Sequence, residues 1–151
     1  MPILTFGCGC EFKTDKDTTK EEFRKTMFNP DIGEVPLNCE RTWDLISSGN
    51  TKGCFQLESR LGQSLAKKVR PRNIEELAGL ISIMRPGCME AIVDGKSLTN
   101  HYIDRKHGRE SVEYFHPSLE SSLKETFGIL VYQEQSMQIA QEIAGFNLQE
   151  A

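Results

Sequence analysis

Apolar residues recur at helical spacing along most of the chain after residue 35. The clearest stripe predicts a helix from Gln56 to Val69, because one apolar residue in every four would face inward. Pro71 ends this helix, since proline disfavours helical backbone at the residue before it. Asn73 then predicts the N-cap of a second helix. The apolar positions that we expect to line the core are Leu57, Leu61, Leu65, Val69, Ile74, Leu77, Leu80, Ile81, Met84, Met137 and Ile143.

Shorter elements are predicted on both sides of this helix pair. Trp43 lies in a short amphipathic helix, and one or two short helices surround a turn at Asp94 and Gly95. A short helix over 118–126 precedes a long one that ends near Ala144, with Gly145 as its C-cap. Residues 1–34 have no clear apolar period and predict a poorly structured lead-in. The fold class is therefore mostly α, a helical region over 35–151 with short extended pieces after the lead-in.

Composition and charge narrow the class of protein. The 151 residues carry a net charge of -4, but residues 41–110 hold 12 Lys and Arg against 8 Asp and Glu. A polyanionic partner would meet this middle segment, although an ordinary solvated surface explains so small an excess as well. No apolar run is long enough to cross a membrane, and the first 12 residues do not resemble a signal peptide. We therefore expect a cytoplasmic protein with no membrane partner.

Five cysteines at irregular spacing argue against a disulfide framework. Cys8, Cys10 and Cys39 could supply three thiolates to a zinc ion. Zinc ribbons use paired Cys-x₂₋₄-Cys knuckles, from which this spacing departs, so buried or free thiols are the favoured alternative. Cys54 and Cys88 stand among apolar residues and are expected to pack in the core.

Basic residues cluster at two points of the middle segment. They are candidates for contact with the DNA phosphate backbone, which requires charge but no particular sequence. The alternatives are cations that cap a helix end and a solvated basic turn. The candidate phosphate-binding residues are Arg60, Lys67, Lys68, Arg70, Arg72, Arg105, Lys106 and His107.

Four sequence blocks occur in a fixed order. They are Asn50-Thr51-Lys52-Gly53-Cys54-Phe55-Gln56-Leu57-Glu58-Ser59, Arg85-Pro86-Gly87, Ile103-Asp104-Arg105-Lys106-His107-Gly108 and Tyr132-Gln133-Glu134-Gln135. From about Val35 to Ala151, their order and spacing resemble the fingers region of the alpha subunit of bacterial DNA polymerase III, a family of replicative polymerases. Phage versions of the enzyme are a possible source.

The resemblance implies a fragment of a DNA-directed DNA polymerase, a nucleotidyltransferase of DNA replication. In that family the fingers bind template DNA and the incoming nucleotide, while palm carboxylates, which have no counterpart here, hold the catalytic magnesium. The expected partners are DNA and the remaining polymerase segments, namely the palm and the downstream fingers. The implied cleft residues are Phe55, Gln56, Glu58, Ser59, Arg85, Tyr132, Gln133, Glu134 and Gln135.

Two expectations accompany this interpretation. With no catalytic residue assigned, the fragment alone should be inactive, and a non-catalytic zinc- or protein-binding module with weak nucleic-acid affinity is the competing function. Phe146 to Ala151 read as the first turn of a further helix, with Asn147 as its N-cap. A chain from a split, interrupted or truncated gene would account for that ending.

Overall fold

A computed structural model describes residues 3–5, 11–13 and 37–151 of the chain. Two short strands, β1 (Ile3–Thr5) and β2 (Glu11–Lys13), pair antiparallel with Leu4 opposite Phe12. The remaining predicted lead-in lies outside the described residues. A second antiparallel pair, β3 (Ile92–Val93) and β4 (Lys96–Ser97), forms a hairpin around Asp94 and Gly95.

Helices dominate the described residues after position 37, which confirms the mostly α prediction. They are α1 (Glu40–Ser47), α2 (Arg60–Val69), α3 (Ile74–Ile83), α4 (Pro86–Glu90), α5 (Leu98–Lys106), α6 (Leu119–Leu123), a 3₁₀ turn (Lys124–Thr126) and α7 (Gln133–Ala144).

The core lies where α2, α3 and α5 pack together. Each contributes side chains that water hardly reaches, and burial of such apolar surface is the main favourable term in folding. Tyr102 on α5 also packs edge-on against Phe127, with ring centroids 5.1 Å apart. The buried apolar residues of this core are Leu57, Leu65, Ala66, Val69, Leu80, Ile83, Tyr102, Ile103 and Ile129.

The predicted start of α2 was wrong by four residues. The helix begins at Arg60, where the Ser59 hydroxyl accepts a hydrogen bond from the Gly62 amide at 3.0 Å. Gln56 instead adopts a left-handed backbone with φ 63°, which is incompatible with a helix. Leu57 still reaches the core from this turn, and its carbonyl accepts a hydrogen bond from the buried Thr51 hydroxyl at 2.6 Å.

The buried face of α2 also differs from the predicted one. Gly62, Leu65, Ala66 and Val69 form the inner face, at helical spacings of three, one and three residues. Leu61 falls outside that face and is 41% exposed, so its predicted place in the core was wrong.

Three further core predictions were wrong. Ile143 near the end of α7 and Ile74 at the start of α3 are 52% and 42% exposed, because each lies in a terminal turn of its helix. Cys54 is exposed on the turn before α2 rather than packed inside, whereas Cys88 does pack against the core. Burial raises the pKa of the Cys88 thiol, and nearby Arg85 opposes that effect.

Three predicted cap residues agree with the structure. The Asn73 side chain caps α3 by accepting a hydrogen bond from the Glu76 amide at 2.8 Å. Gly145 closes α7 with φ 71°, a left-handed conformation that glycine adopts without strain. Asn147 accepts hydrogen bonds from the Gln149 and Glu150 amides, as a helix cap does.

Candidate nucleic-acid interface

The C-terminal ends of α2 and α5 meet around a concave pocket of about 500 Å³. Four cationic side chains face one carboxylate there, with a histidine, an asparagine and a single apolar residue. We call this site the basic pocket. Its lining residues are Lys67, Lys68, Arg70, Asn100, Ile103, Asp104, His107 and Arg109.

Side chains from both helices join the two ends. The His107 Nε2 donates a hydrogen bond to the Lys68 carbonyl at 2.7 Å, and the Arg70 Nε donates to the Lys67 carbonyl at 3.3 Å. These carbonyls belong to the last turn of α2, which lacks intrahelical donors. Arg70 itself terminates α2 in a left-handed backbone with φ 52°. Two side chains that line the pocket, His107 and Arg70, therefore cap the C-terminal end of α2.

Lys67 and Lys68 are exposed, and neither forms an ion pair within the described part of the chain. The Lys67 stem lies against Gly49, a buried residue with φ 72° where a side chain would collide with Lys67 and with the Gln63 carbonyl. The aliphatic part of Lys67 is thus packed while its ammonium group remains at the surface.

Asp104 is the one carboxylate of the basic pocket. Its Oδ1 accepts a hydrogen bond from the Arg109 Nε at 2.7 Å, and its Oδ2 forms an ion pair with the Lys96 ammonium. These bonds, first from Lys96 and then from Arg109, lower the pKa of Asp104. The carboxylate therefore stays ionised and divides its charge between one cation at the pocket and one behind it.

A charged cluster centred on Glu110 lies behind the pocket. Glu110 accepts hydrogen bonds from the Lys96 ammonium at 2.9 Å, the His101 Nδ1 at 2.7 Å and the Arg105 Nε at 2.6 Å. Desolvation alone would raise the pKa of Glu110, but these three donors lower it to about 2. The His101 Nε2 also lies 2.9 Å from the Val93 carbonyl, so the cluster fastens the β3–β4 hairpin to α5.

Four of the eight predicted phosphate-binding residues lie outside the pocket. Arg105 is held by Glu110 and by the Phe127 carbonyl at 3.1 Å, and the Lys106 ammonium contacts Glu76 Oε1 at 2.9 Å with only 9% of its side chain exposed. Arg72 forms an ion pair with Asp44. Arg60 is exposed at the first turn of α2, the helix end opposite the pocket. The structure thus brings together Lys67, Lys68, Arg70 and His107.

The predicted cleft residues before α2 occupy an exposed turn. Phe55 is 85% exposed, although the flanking Thr51 and Leu57 are buried and hydrogen-bonded to each other. Gln56 and Glu58 are exposed as well, and Ser59 caps α2. An aromatic ring is therefore presented to solvent by a turn that is anchored on its core side.

The block at the start of α7 divides into exposed and buried parts. Gln133 and Glu134 are exposed, whereas Tyr132 is half-buried and burial raises its pKa. Gln135 is buried: its Oε1 accepts from the amides of Val131 and Tyr132, both at 3.0 Å. Its Nε2 donates to the Ser122 carbonyl and to the Thr126 hydroxyl. Gln135 thus fixes this block to α6 and the 3₁₀ turn. Arg85, the remaining cleft candidate, is the exposed N-cap of α4.

The predicted zinc set falls mostly beyond the region that the structure covers. Cys8 and Cys10 lie outside the described residues, and Cys39 is half-buried at the N-cap of α1. Within 37–151 and the two described strands, no three His, Cys, Asp or Glu side chains are placed to hold a metal ion. No described helix is both long and apolar enough to cross a membrane.

Sequence reasoning missed three residues of the pocket, namely Asn100, Asp104 and Arg109, as phosphate-site residues. Arg109 was visible as a neighbour of the basic turn, since it follows His107 by two positions. Asp104 was visible in the same way, since it directly precedes Arg105, but nothing marked it or Asn100 as part of a phosphate site. They join the site because α5 places Asn100 two turns and Asp104 one turn before His107, on the same side of the helix.

The chain matches a family model over residues 14–151. That model is described as the bacterial DNA polymerase III alpha subunit finger domain. The match includes all of the described helices, the basic pocket and the exposed turn at Phe55.

Curated relatives are similar to the chain over most of its length. The DNA polymerase III subunit alpha of Caulobacter vibrioides is 43% identical over 143 residues, 95% of this chain and 12% of the relative. The subunit from Chlamydia muridarum is 46% identical over 132 residues, 87% of this chain and 10% of the relative. The subunit from Staphylococcus epidermidis is 42% identical over 123 residues, which are 82% of this chain and 11% of the relative. The chain spans about a tenth of the length of these relatives.

Proposed function

Since this chain belongs to the finger-domain family of the bacterial DNA polymerase III alpha subunit, we propose that it binds the DNA phosphate backbone through the basic pocket, as part of a DNA-directed DNA polymerase. The observation that carries this proposal is the convergence of Lys67, Lys68, Arg70 and Arg109 on one concave surface, from two helices far apart in sequence. Contacts of this kind supply affinity and position the duplex without reading its sequence.

The chemistry of the pocket favours a backbone phosphate over a whole nucleotide. Small-molecule sites are lined mostly by apolar and aromatic side chains, which hold the ring of the ligand. Ile103 is the one apolar residue that lines the basic pocket, and none of its lining residues is Phe, Tyr or Trp. The His107 imidazole lines it too, but its Nε2 is held by the Lys68 carbonyl, so the site offers mainly charge and hydrogen-bond donors.

We propose that the predicted cleft residues act as a second, base-facing surface. Phe55 supports this role, because an exposed aromatic ring on an anchored turn suits stacking on a nucleobase. Gln135 would position the block rather than touch DNA, since its polar atoms are already engaged. The proposed base-facing residues are Phe55, Gln56, Glu58, Ser59, Arg85, Tyr132, Gln133 and Glu134, and Gln135 completes the cleft set as their positioning residue.

The remaining proposals concern the whole protein. Nucleotidyl transfer would use magnesium held by palm carboxylates elsewhere, and the described residues of this chain hold no group placed for a metal ion. The partners would be DNA, the palm and the downstream fingers, and the compartment would be the cytoplasm. The division at residue 35 between a lead-in and the finger region stays a prediction. The family match favours this function over the zinc- or protein-binding module.

The test is binding of the chain to a fluorescent primer–template duplex at several salt concentrations. Non-specific affinity of this kind lies on the order of 10⁻⁴ to 10⁻⁶ M at physiological salt, so the titrations begin at low salt. Lys67→Gln and Lys68→Gln should each weaken binding. Together they should reduce the slope of log K against log salt by about two, because each lost phosphate contact removes roughly one released counterion.

Lys124→Gln is the matched control. Lys124 is an exposed lysine in the 3₁₀ turn before α7, so its loss changes the net charge equally without touching the pocket. Equal effects of Lys68→Gln and Lys124→Gln would show that net charge alone governs binding, and the basic pocket would lose its role.

A further inference from the structure

Asp104 is an acidic side chain inside a site that we assign to an anion. It lines the basic pocket together with the cations, and its Oδ1 accepts the Arg109 Nε hydrogen bond at 2.7 Å. A phosphate that enters the pocket is repelled by Asp104 and attracted by Arg109. The ion pair between these two residues therefore opposes binding for as long as it lasts.

The two partners of Asp104 differ in their access to solvent. Arg109 is on the pocket side with 57% of its side chain exposed, whereas Lys96 is on the far side with 31% exposed. Exposed ion pairs contribute little to stability, so the contact with Arg109 is the weaker of the two ion pairs that Asp104 forms. Lys96 is in turn held by Glu110 at 2.9 Å, which fixes it behind Asp104.

Arg109 can leave Asp104 without leaving the Asp104 carboxylate unpaired. If Arg109 turns towards a phosphate, Asp104 keeps its ion pair with Lys96. Arg109 has five N–H donors in a planar fork, and this ion pair uses only the one at Nε. The fork suits the two free oxygens of a phosphodiester.

We propose that Asp104 acts as an internal competitor, which holds Arg109 and releases it to a phosphodiester of the DNA backbone. This inference rests on the proposed function, because it requires the phosphate to occupy the basic pocket. It makes Asp104 a positioning residue that sets the affinity of the site. It also distinguishes the ion pair from a simple surface contact, whose loss would leave DNA binding unchanged.

The test is a double-mutant cycle on duplex binding at one salt concentration, with Asp104→Asn, Arg109→Gln and the double variant. Asp104→Asn should raise the affinity about two- to fivefold, the range set by removing an exposed ion pair. Arg109→Gln should lower it. In the Arg109→Gln background, Asp104→Asn should raise the affinity much less, because no arginine remains to be released and only the direct repulsion between Asp104 and the phosphate is removed.

Two outcomes of the cycle would overturn the inference. An equal gain from Asp104→Asn in both backgrounds would mean that Asp104 acts only through its long-range field. A loss of affinity in the Asp104→Asn variant, with an unchanged melting temperature, would mean that Asp104 supports binding. Either result leaves the proposed function intact if Lys67→Gln and Lys68→Gln weaken binding, so the two proposals fail separately.

A second measurement needs no substitution at Asp104. The NMR signal of the Arg109 Nε–Hε group, assigned by its absence in Arg109→Gln, should move as the same duplex is added to the unsubstituted chain. A signal that stays in place at saturating duplex would show that Arg109 keeps its contact with Asp104 and would refute the exchange. An Asp104→Asn variant that fails to fold therefore leaves the inference open to test.

Discussion

Glu110 accepts hydrogen bonds from side chains 5, 9 and 14 positions earlier in the chain. None of these separations is a helical neighbour spacing of three or four, so no periodic pattern announces the cluster. The sequence identified Arg105 as a basic residue but could not show that its guanidinium forms an ion pair with Glu110. At the scale of single residues, charge type was predictable, whereas the pairing of charges required the fold.

Glu110→Ala tests the worth of this cluster. The variant leaves the nearly buried His101 and Arg105 without their acceptor, which should lower the free energy of unfolding by about 1–3 kcal/mol. Urea denaturation at neutral pH measures the loss. Glu113→Ala is the control, because Glu113 is an exposed acid three positions away.

The pH dependence of Glu110→Ala has a definite sign. The folded pKa of Glu110, about 2, lies below its ordinary value of 4.5. Its contribution to stability is therefore complete above that ordinary value and disappears as the pH falls towards about 2. Over this window the variant should lose less stability than the unsubstituted chain. Parallel curves would mean that Glu110 does not carry the acid sensitivity.

At the scale of elements, Gly79 on α3 lies against the Tyr102 side chain of α5. A methyl group added there would overlap the Tyr102 hydroxyl and lie 3.1 Å from its Cζ. Tyr102 is 1% exposed and cannot move aside without disturbing the core. Helix propensity alone favours alanine over glycine by about 1 kcal/mol, so tertiary packing must decide the effect of a substitution.

Gly79→Ala should therefore destabilise the chain by about 1–3 kcal/mol, as overpacking of a core does. Tyr102→Phe removes the overlapping oxygen, and the double variant should recover part of the loss. Thermal melts of the four proteins give the coupling energy. Additive losses, with no recovery in the double variant, would contradict the close contact. Ala78→Gly on the same helix is a control for propensity.

Helix ends were predicted more accurately than helix faces. Asn73, Gly145 and Asn147 were identified from cap chemistry, which acts within a few residues and so can be read locally. The start of α2 was misplaced because the leucine spacing continues through a turn that Gln56 closes with a left-handed backbone. The same leucine spacing placed Leu61 in the predicted core, whereas the buried face of α2 is formed by Gly62, Leu65, Ala66 and Val69.

At the scale of the whole molecule, burial is uneven. Ala66, Val69, Leu80 and Ile83 on α2 and α3 are inaccessible to solvent, whereas Gln135 is the one fully buried residue of α7. Regions with few buried contacts open at a lower free energy than the core. We therefore expect two levels of stability in one small domain.

Hydrogen exchange should resolve these levels. Amides in α2 and α3 should exchange only on global unfolding, and those in the last two turns of α7 should exchange faster and without dependence on denaturant. Native-state exchange at several low denaturant concentrations measures both. Amides of α7 that are as protected as those of α3 would show that one cooperative unit spans the described helices.

The family resemblance predicted the fold class and the family to which the chain belongs, whereas the geometry of the site was only partly predictable. Four of the eight proposed phosphate residues share one pocket, because the basic runs at 67–70 and at 107 lie on helix ends that pack together. The sequence placed Asp104 in the third of the four blocks but did not show that it lines the pocket. In the sequence, an acidic residue next to basic ones is typical of an ordinary solvated surface. The fold is needed to show that Asp104 pairs with Lys96 and Arg109.

The left-handed backbone of Arg70, with φ 52°, sets the demands of folding against those of binding. Glycine adopts this conformation without penalty, whereas a residue with a Cβ is less stable there by about 1–2 kcal/mol. An engineer who optimised the chain for heat tolerance would therefore choose glycine at this position. The same substitution would remove the Arg70 guanidinium from the basic pocket, so the more heat-stable protein would bind DNA more weakly.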